Sequence, residues 1–162
     1  VLKNGIRQMR DDLFYFDYGI QLFSLYPEAI ARADWSLGPT KVPKDRRKRA
    51  NRAALQSRFI ATFFPNMRAH AYRVCGRVAA ANGKIRKAIG FFDSALEAAT
   101  MFGNRSEYAR SLIDKSMILE GEEQQRLRQE GLQQLKELHT VLPEAEMALL
   151  QARSSKNATN DQ

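Results

Sequence analysis

Apolar residues recur at steps of three and four along almost the whole chain, and the period-two alternation of half-buried strands is missing over any strand-length stretch. An all-α fold is expected. The first periodic segment runs from about Arg10 to Tyr26 and holds Phe14, Tyr15, Phe16, Tyr18, Phe23 and Tyr26, too many rings for one face, so burial on more than one side is expected. Pro27 opens a shorter helical segment through Trp35. "SLGPTKVPKD", Ser36 to Asp45, then breaks the periodicity with a glycine and two prolines and reads as a loop.

The next helix is predicted from about Lys44 to Phe64, with Pro65 as its stop. Its large apolar residues Leu55, Phe59 and Phe63 repeat every four positions, which is the spacing of a core stripe. Farther on, "YRVCGRVAAANGKIRKAIGFFDSALEAA" carries two stripes. Ala71, Tyr72, Cys75, Val78 and Ala79 share one face of a helix from about Arg68 to Ala81, and Ile85, Ala88, Ile89, Phe92, Ala95, Leu96 and Ala99 share one face of the next. The three residues Asn82, Gly83 and Lys84 between them predict an antiparallel hairpin, with Gly76 and Ala88 small at the closest approach and Phe92 filling the space beside them.

Looser echoes of the hairpin lie on both sides. A shift of 43 residues brings Gly131, Leu135, Leu138 and Pro143 under Ala88, Phe92, Ala95 and Thr100, and a shift of 40 brings Leu112 and Ser116 under Tyr72 and Gly76. The first helix of that copy is expected from about Arg105 to Glu120. Backwards by 35, Ala53, Ile60 and Pro65 fall under Ala88, Ala95 and Thr100, with Ser57 in place of Phe92 and the aromatic N-terminal segment as the source of the missing helix. The expected organisation is therefore aromatic helices over 1–36, a loop over 37–43, helical repeats over 44–150 and a polar disordered tail over 151–162.

Tyr72, Cys75, Gly76, Ala79, Gly83, Ile85, Ala88, Phe92 and Ala95 together resemble the tetratricopeptide repeat, Thr100 departing from its closing proline. The resemblance implies hairpins stacked as a short right-handed α-solenoid. More broadly, "FPNMRAHAYRVCGR" and "FGNRSEYARSLIDKS", within about Arg46 to Leu142, resemble the C-terminal helical repeats of STAND-type signalling ATPases, often fused to cyclase, kinase or sensor domains. That resemblance implies repeats that sense a partner or restrain a nucleotide-binding engine. No Gly-rich phosphate loop is present in the sequence itself, and the start on Val1 rather than Met leads us to expect a fragment of a longer protein.

Charge adds a second reading. The 26 Lys and Arg exceed the 18 Asp and Glu, for a formal charge of +8, which favours anionic partners. Lys44, Arg46, Arg47, Lys48, Arg49 and Arg52 crowd the start of a helix, where the macrodipole disfavours cations, so this basic patch needs either screening or an anionic partner. A nucleic-acid-binding helical module using 44–52 is the alternative to a protein scaffold. It requires stacking aromatics beside the basic run, whereas Phe59, Phe63 and Phe64 read as core.

Catalysis is not expected. The two histidines, His70 and His139, fall on separate repeats, and the single Cys75 lies on a stripe read as buried, which leaves no nucleophile-base pair, no metal set and no cofactor motif. One cysteine and the lack of a roughly 20-residue apolar run suit a reducing, cytoplasmic location without a membrane span. In the repeat register, His70, Arg73 and Arg77 of one copy and Arg110, Ile113 and Met117 of the next line a concave surface. Partner binding is expected there: an acidic peptide, an acidic protein or another domain of the parent chain, read by arginine forks. Self-association through faces that a longer chain would cover is the remaining expectation.

Overall fold

A computed structural model of the chain describes residues 43–140. The expectations for the aromatic helices of 1–36, for the loop before residue 43 and for 141–162 lie outside the described residues. Among the described residues there are five α-helices and no strand: α1 Lys44–Phe63, α2 Arg68–Ala81, α3 Ile85–Met101, α4 Arg105–Ser116 and α5 Gly121–Glu137. A single 3-10 turn, Pro65–Met67, joins α1 to α2. None of these helices is long and apolar enough to cross a membrane.

Local chemistry accounts for the boundaries. Pro65 cannot continue the hydrogen-bond ladder of α1, and the Arg68 guanidinium, 3.3 Å from the Ala61 carbonyl, donates to one of the acceptors left open at that helix end. Helices α2, α3 and α5 all end in the same paired bond. At the end of α2, Lys84 N–H reaches the Ala79 carbonyl at 2.9 Å while Gly83, at φ 72°, donates to Ala80 at 2.9 Å. Gly103 does the same for α3 and His139 for α5. Asn104 caps α4 by accepting from Glu107 N–H at 3.1 Å.

Consecutive helices run antiparallel, as paired contacts show. The site of a Gly76 Cβ meets Phe92 across α2 and α3, Lys115 meets Asp93 across α3 and α4, and Arg105 meets Glu137 across α4 and α5. Cys75 and Arg68 of α2 likewise meet the Ala54 and Ala61 carbonyls of α1 in descending order. Alternate helices α2 and α4 are therefore parallel.

The core is built largely of alanine. Ala50 and Ala54 pack on Cys75 and Val78, Ala79 and Ala88 pack on Phe92, and Ala109, Ile113, Met117 and Leu135 close the last pair. Small residues let backbones approach, and one large residue per hairpin then fills the space between them. Phe92 is fully buried, and a Cβ on Gly76 would lie 2.5 Å from its ring. In the last pair the glycine changes sides: a Cβ on Gly131 would lie 2.8 Å from the Ala109 carbonyl oxygen and 2.7 Å from Ile113.

Three expectations change. The stripe of Leu55, Phe59 and Phe63 faces outward, and Ala50, Ala53, Ala54, Ser57 and Ala61 form the buried face of α1 instead. Ile85 is also exposed, at the first residue of α3, where the chain has just left the turn. Finally, α4 stops at Ser116, and helix starts recur after 37 residues (Arg68 to Arg105) and 36 residues (Ile85 to Gly121), against the 40 and 43 read from the apolar pattern. The close contact sits near the start of α3 at Ala88 but deep inside α5 at Gly131, so apolar register and helix boundaries repeat at different intervals.

Candidate functional site

Arg73 and Arg77 stand one turn apart on α2, and Glu107 and Asp114 stand two turns apart on α4. Because the two helices are parallel neighbours, the pairs interlock. Arg73 Nε donates to Glu107 Oε2 at 2.8 Å and its Nη1 to Asp114 Oδ2 at 3.1 Å. Arg77 holds Asp114 with two nitrogens, Nε to Oδ2 and Nη2 to Oδ1, each at 2.6 Å. His70 completes the cluster, its Nδ1 lying 3.3 Å from both Glu107 Oε1 and Arg73 Nη2. With a proton this nitrogen donates to the carboxylate; without one it accepts from the guanidinium.

The centre of the cluster is out of water. The side chains of Arg73 and Asp114 are 1 % and 2 % exposed. Burial alone would raise the Glu107 carboxyl, but the Arg73 guanidinium and the hydrogen bond with His70 outweigh it and hold the group well below the usual carboxylate range. Two arginines against two carboxylates balance in charge, which is the condition under which buried ions persist. Nearby serines are satisfied locally, Ser111 Oγ donating to the Glu107 carbonyl and Ser116 Oγ to that of Ile113.

This geometry redistributes the residues expected to meet a partner. Arg73 and Arg77 face carboxylates of their own chain, and Ile113 and Met117 belong to the core between α4 and α5. His70 is half-buried in the ion cluster, and Arg110 is half-buried with its Nε out of water and without a hydrogen-bond partner. An acidic peptide would have to displace Glu107 and Asp114 to reach the two arginine forks. Glu107 and Asp114 themselves escaped sequence reasoning, although a signal exists: at an offset of 37, the interval between the starts of α2 and α4, His70 falls on Glu107 and Arg77 on Asp114.

Two of the open surfaces among the described residues bear on binding. One is a groove of about 500 Å³ at the end of α3 and along α5, lined by Thr100, Arg105, Tyr108, Glu130, Gln134 and Glu137 among others. Arg105 and Glu137 pair within it at 3.2 Å. The other is the outer side of α1, where the expected basic patch of Lys44, Arg46, Arg47, Lys48, Arg49 and Arg52 occupies the first half of the helix. Arg46 and Arg47 are half-buried there, and the other four are exposed.

Cys75 is buried, its Sγ donating to the Ala54 carbonyl at 3.4 Å, and burial pushes its thiol up to about 11 despite the opposing pull of Arg58 and Lys87. A thiol so placed is a packing residue rather than a nucleophile. Among the described residues no three His, Cys, Asp or Glu side chains converge as a metal would require. In comparisons with protein-family models, with curated proteins and with solved structures, the chain matches none.

Proposed function

We propose that this chain is a non-catalytic scaffold of tetratricopeptide-like repeats, part of a larger cytoplasmic signalling ATPase, that engages a protein partner or another domain of that ATPase. The observation that carries the reading is the ion cluster across α2 and α4. It ties the first helix of one hairpin to the first helix of the next through Arg73, Arg77, Glu107 and Asp114, and so makes consecutive hairpins a stiff platform. Stiff stacked hairpins suit a solenoid that presents a preformed surface, because little ordering remains to be done on binding. With the arginine forks engaged internally, the partner surface is the groove along α5, whose Gln133, Gln134 and Tyr108 offer donors and acceptors to an extended peptide.

The test is calorimetric titration of the chain with the nucleotide-binding and sensor domains of the longer protein. Binding that Tyr108→Ala and Gln134→Ala together weaken by tenfold or more, with the helical signal unchanged, is the expected result. No binding by any of those domains would remove the scaffold reading.

A further inference from the structure

Helix α1 has two unlike apolar faces. Its alanines turn inward, while on the opposite side Lys44, Lys48, Arg52, Leu55, Phe59 and Phe63 follow one another at steps of three and four, within a single sector of the helix. Phe59 and Phe63 are each 67 % exposed and Leu55 is 59 % exposed. The two rings stand edge to face with centroids 5.5 Å apart. Along a rod of about 30 Å, cations thus occupy one half and exposed rings the other.

A partner for this face must offer regularly spaced negative charge and flat apolar surface in the same molecule. Single-stranded nucleic acid does so, through its phosphates and its unpaired bases. A duplex keeps its bases stacked on one another and would leave the rings unused. An anionic bilayer fits less well, because an interfacial helix keeps its cations beside the apolar stripe, whereas Lys48 and Arg52 point the same way as Phe59. The exposure of the rings supplies the stacking platform that the sequence pattern had assigned to the core, and it does so on the same face as the basic residues.

We propose that the outer face of α1 binds single-stranded nucleic acid, with phosphates on Lys44, Lys48 and Arg52 and bases stacked on Phe59 and Phe63. The footprint of one helix corresponds to about four nucleotides, the low end for single-strand binders. The site is independent of the scaffold reading, since it shares no residue with the groove or the ion cluster.

Fluorescence anisotropy of the full chain with labelled twelve-nucleotide oligo(dT) and oligo(rU), and with a duplex of equal length, tests the assignment across 50 to 300 mM salt. Single strands should bind more tightly than the duplex, with log affinity falling against log salt at a slope of about −2 for three phosphate contacts. Phe59→Ala with Phe63→Ala should weaken single-strand binding at least tenfold and leave the slope unchanged, whereas Lys44→Gln, Lys48→Gln and Arg52→Gln together should flatten it. All five positions are exposed, so each variant should keep the wild-type melting curve. Equal affinity for duplex and single strands, indifference to the phenylalanines, or binding only to phosphatidylserine vesicles or a poly-glutamate peptide would each overturn the proposal.

Discussion

Arg77 grips Asp114 with two nitrogens at 2.6 Å, and Arg73 touches the same carboxylate at 3.1 Å, so one aspartate on α4 holds two arginines of α2. Removing the shared acid takes both of these bonds from the buried Arg77 and leaves the buried Arg73 with Glu107 as the one carboxylate of the pair. Asp114→Ala should therefore destabilise the chain by about 3 to 5 kcal/mol, as for other broken buried pairs. Urea unfolding followed by circular dichroism measures it. A midpoint unchanged from wild type would show that the two hairpins do not depend on this clasp.

Packing between α2 and α3 gives a second expectation. Phe92→Ala should cost about 3 to 5 kcal/mol through lost burial and the cavity left behind. Gly76→Ala acts from the other side, because its new methyl group would lie 2.5 Å from a ring with no open space to enter. The helix propensity gained is about 1 kcal/mol and the overpacking cost about 1 to 3 kcal/mol, so a net loss is expected. In the double variant the ring is gone, and the Gly76→Ala change should turn neutral or stabilising. A double-mutant cycle reads this directly, and strictly additive effects would contradict the contact.

Glu107 predicts how stability responds to acid. Its native carboxyl is held below the ordinary value of 4.5 that it recovers on unfolding, so near and below that pH the unfolded chain takes up a proton that the folded chain still refuses. The contribution is complete above about pH 5 and falls as pH drops toward the native value. Denaturant midpoints at pH 7, 5, 4 and 3 should decline through the last two steps. Glu107→Gln should be less stable at pH 7 and decline less steeply.

The physical reasons for what could be read in advance differ from element to element. Pro65 and Gly83 act on their own backbone, and the C-terminal ends of α1 and α2 agree with the positions they mark to within a residue. Gly76 and Phe92 are legible because a missing side chain and a large one at matching offsets have few other uses. Hydrophobicity alone misassigned α1, where Leu55, Phe59 and Phe63 compete with an alanine stripe of the same spacing. The close approach of α2 selects the small residues, and only the neighbour's position reveals that choice. The arginines were misleading for a related reason: their carboxylates lie 34 to 41 positions away on another helix, so a basic stripe on α2 reads locally as surface.

The Cys75 thiol should be inert in the native chain. Buried and raised to about 11, it holds almost no thiolate at pH 8, and thiol reagents should react with it only as fast as the structure opens. Prompt stoichiometric labelling without denaturant would place the sulfur outside the α1–α2 interface.

The end of α5 offers a way to stabilise the molecule. His139 sits at φ 51° in the position that Gly83 and Gly103 occupy after α2 and α3, and its N–H donates to the Lys136 carbonyl at 3.0 Å while Thr140 N–H reaches Leu135 at 2.9 Å. A side chain in this left-handed conformation costs about 1 to 2 kcal/mol that glycine does not incur. Glycine in turn surrenders more freedom on folding, by about 0.4 to 1 kcal/mol. The balance favours His139→Gly by about 0.5 to 1 kcal/mol, and the exposed imidazole has little packing to lose. Gly103→Ala, made at φ 64° with open space around the new methyl group, isolates the same backbone strain with the opposite sign and should cost about 1 kcal/mol. Thermal melts of the two variants should move in opposite directions, upward for His139→Gly and downward for Gly103→Ala. A fall in Tm for His139→Gly would show that the imidazole supports the end of α5 by more than the strain it imposes.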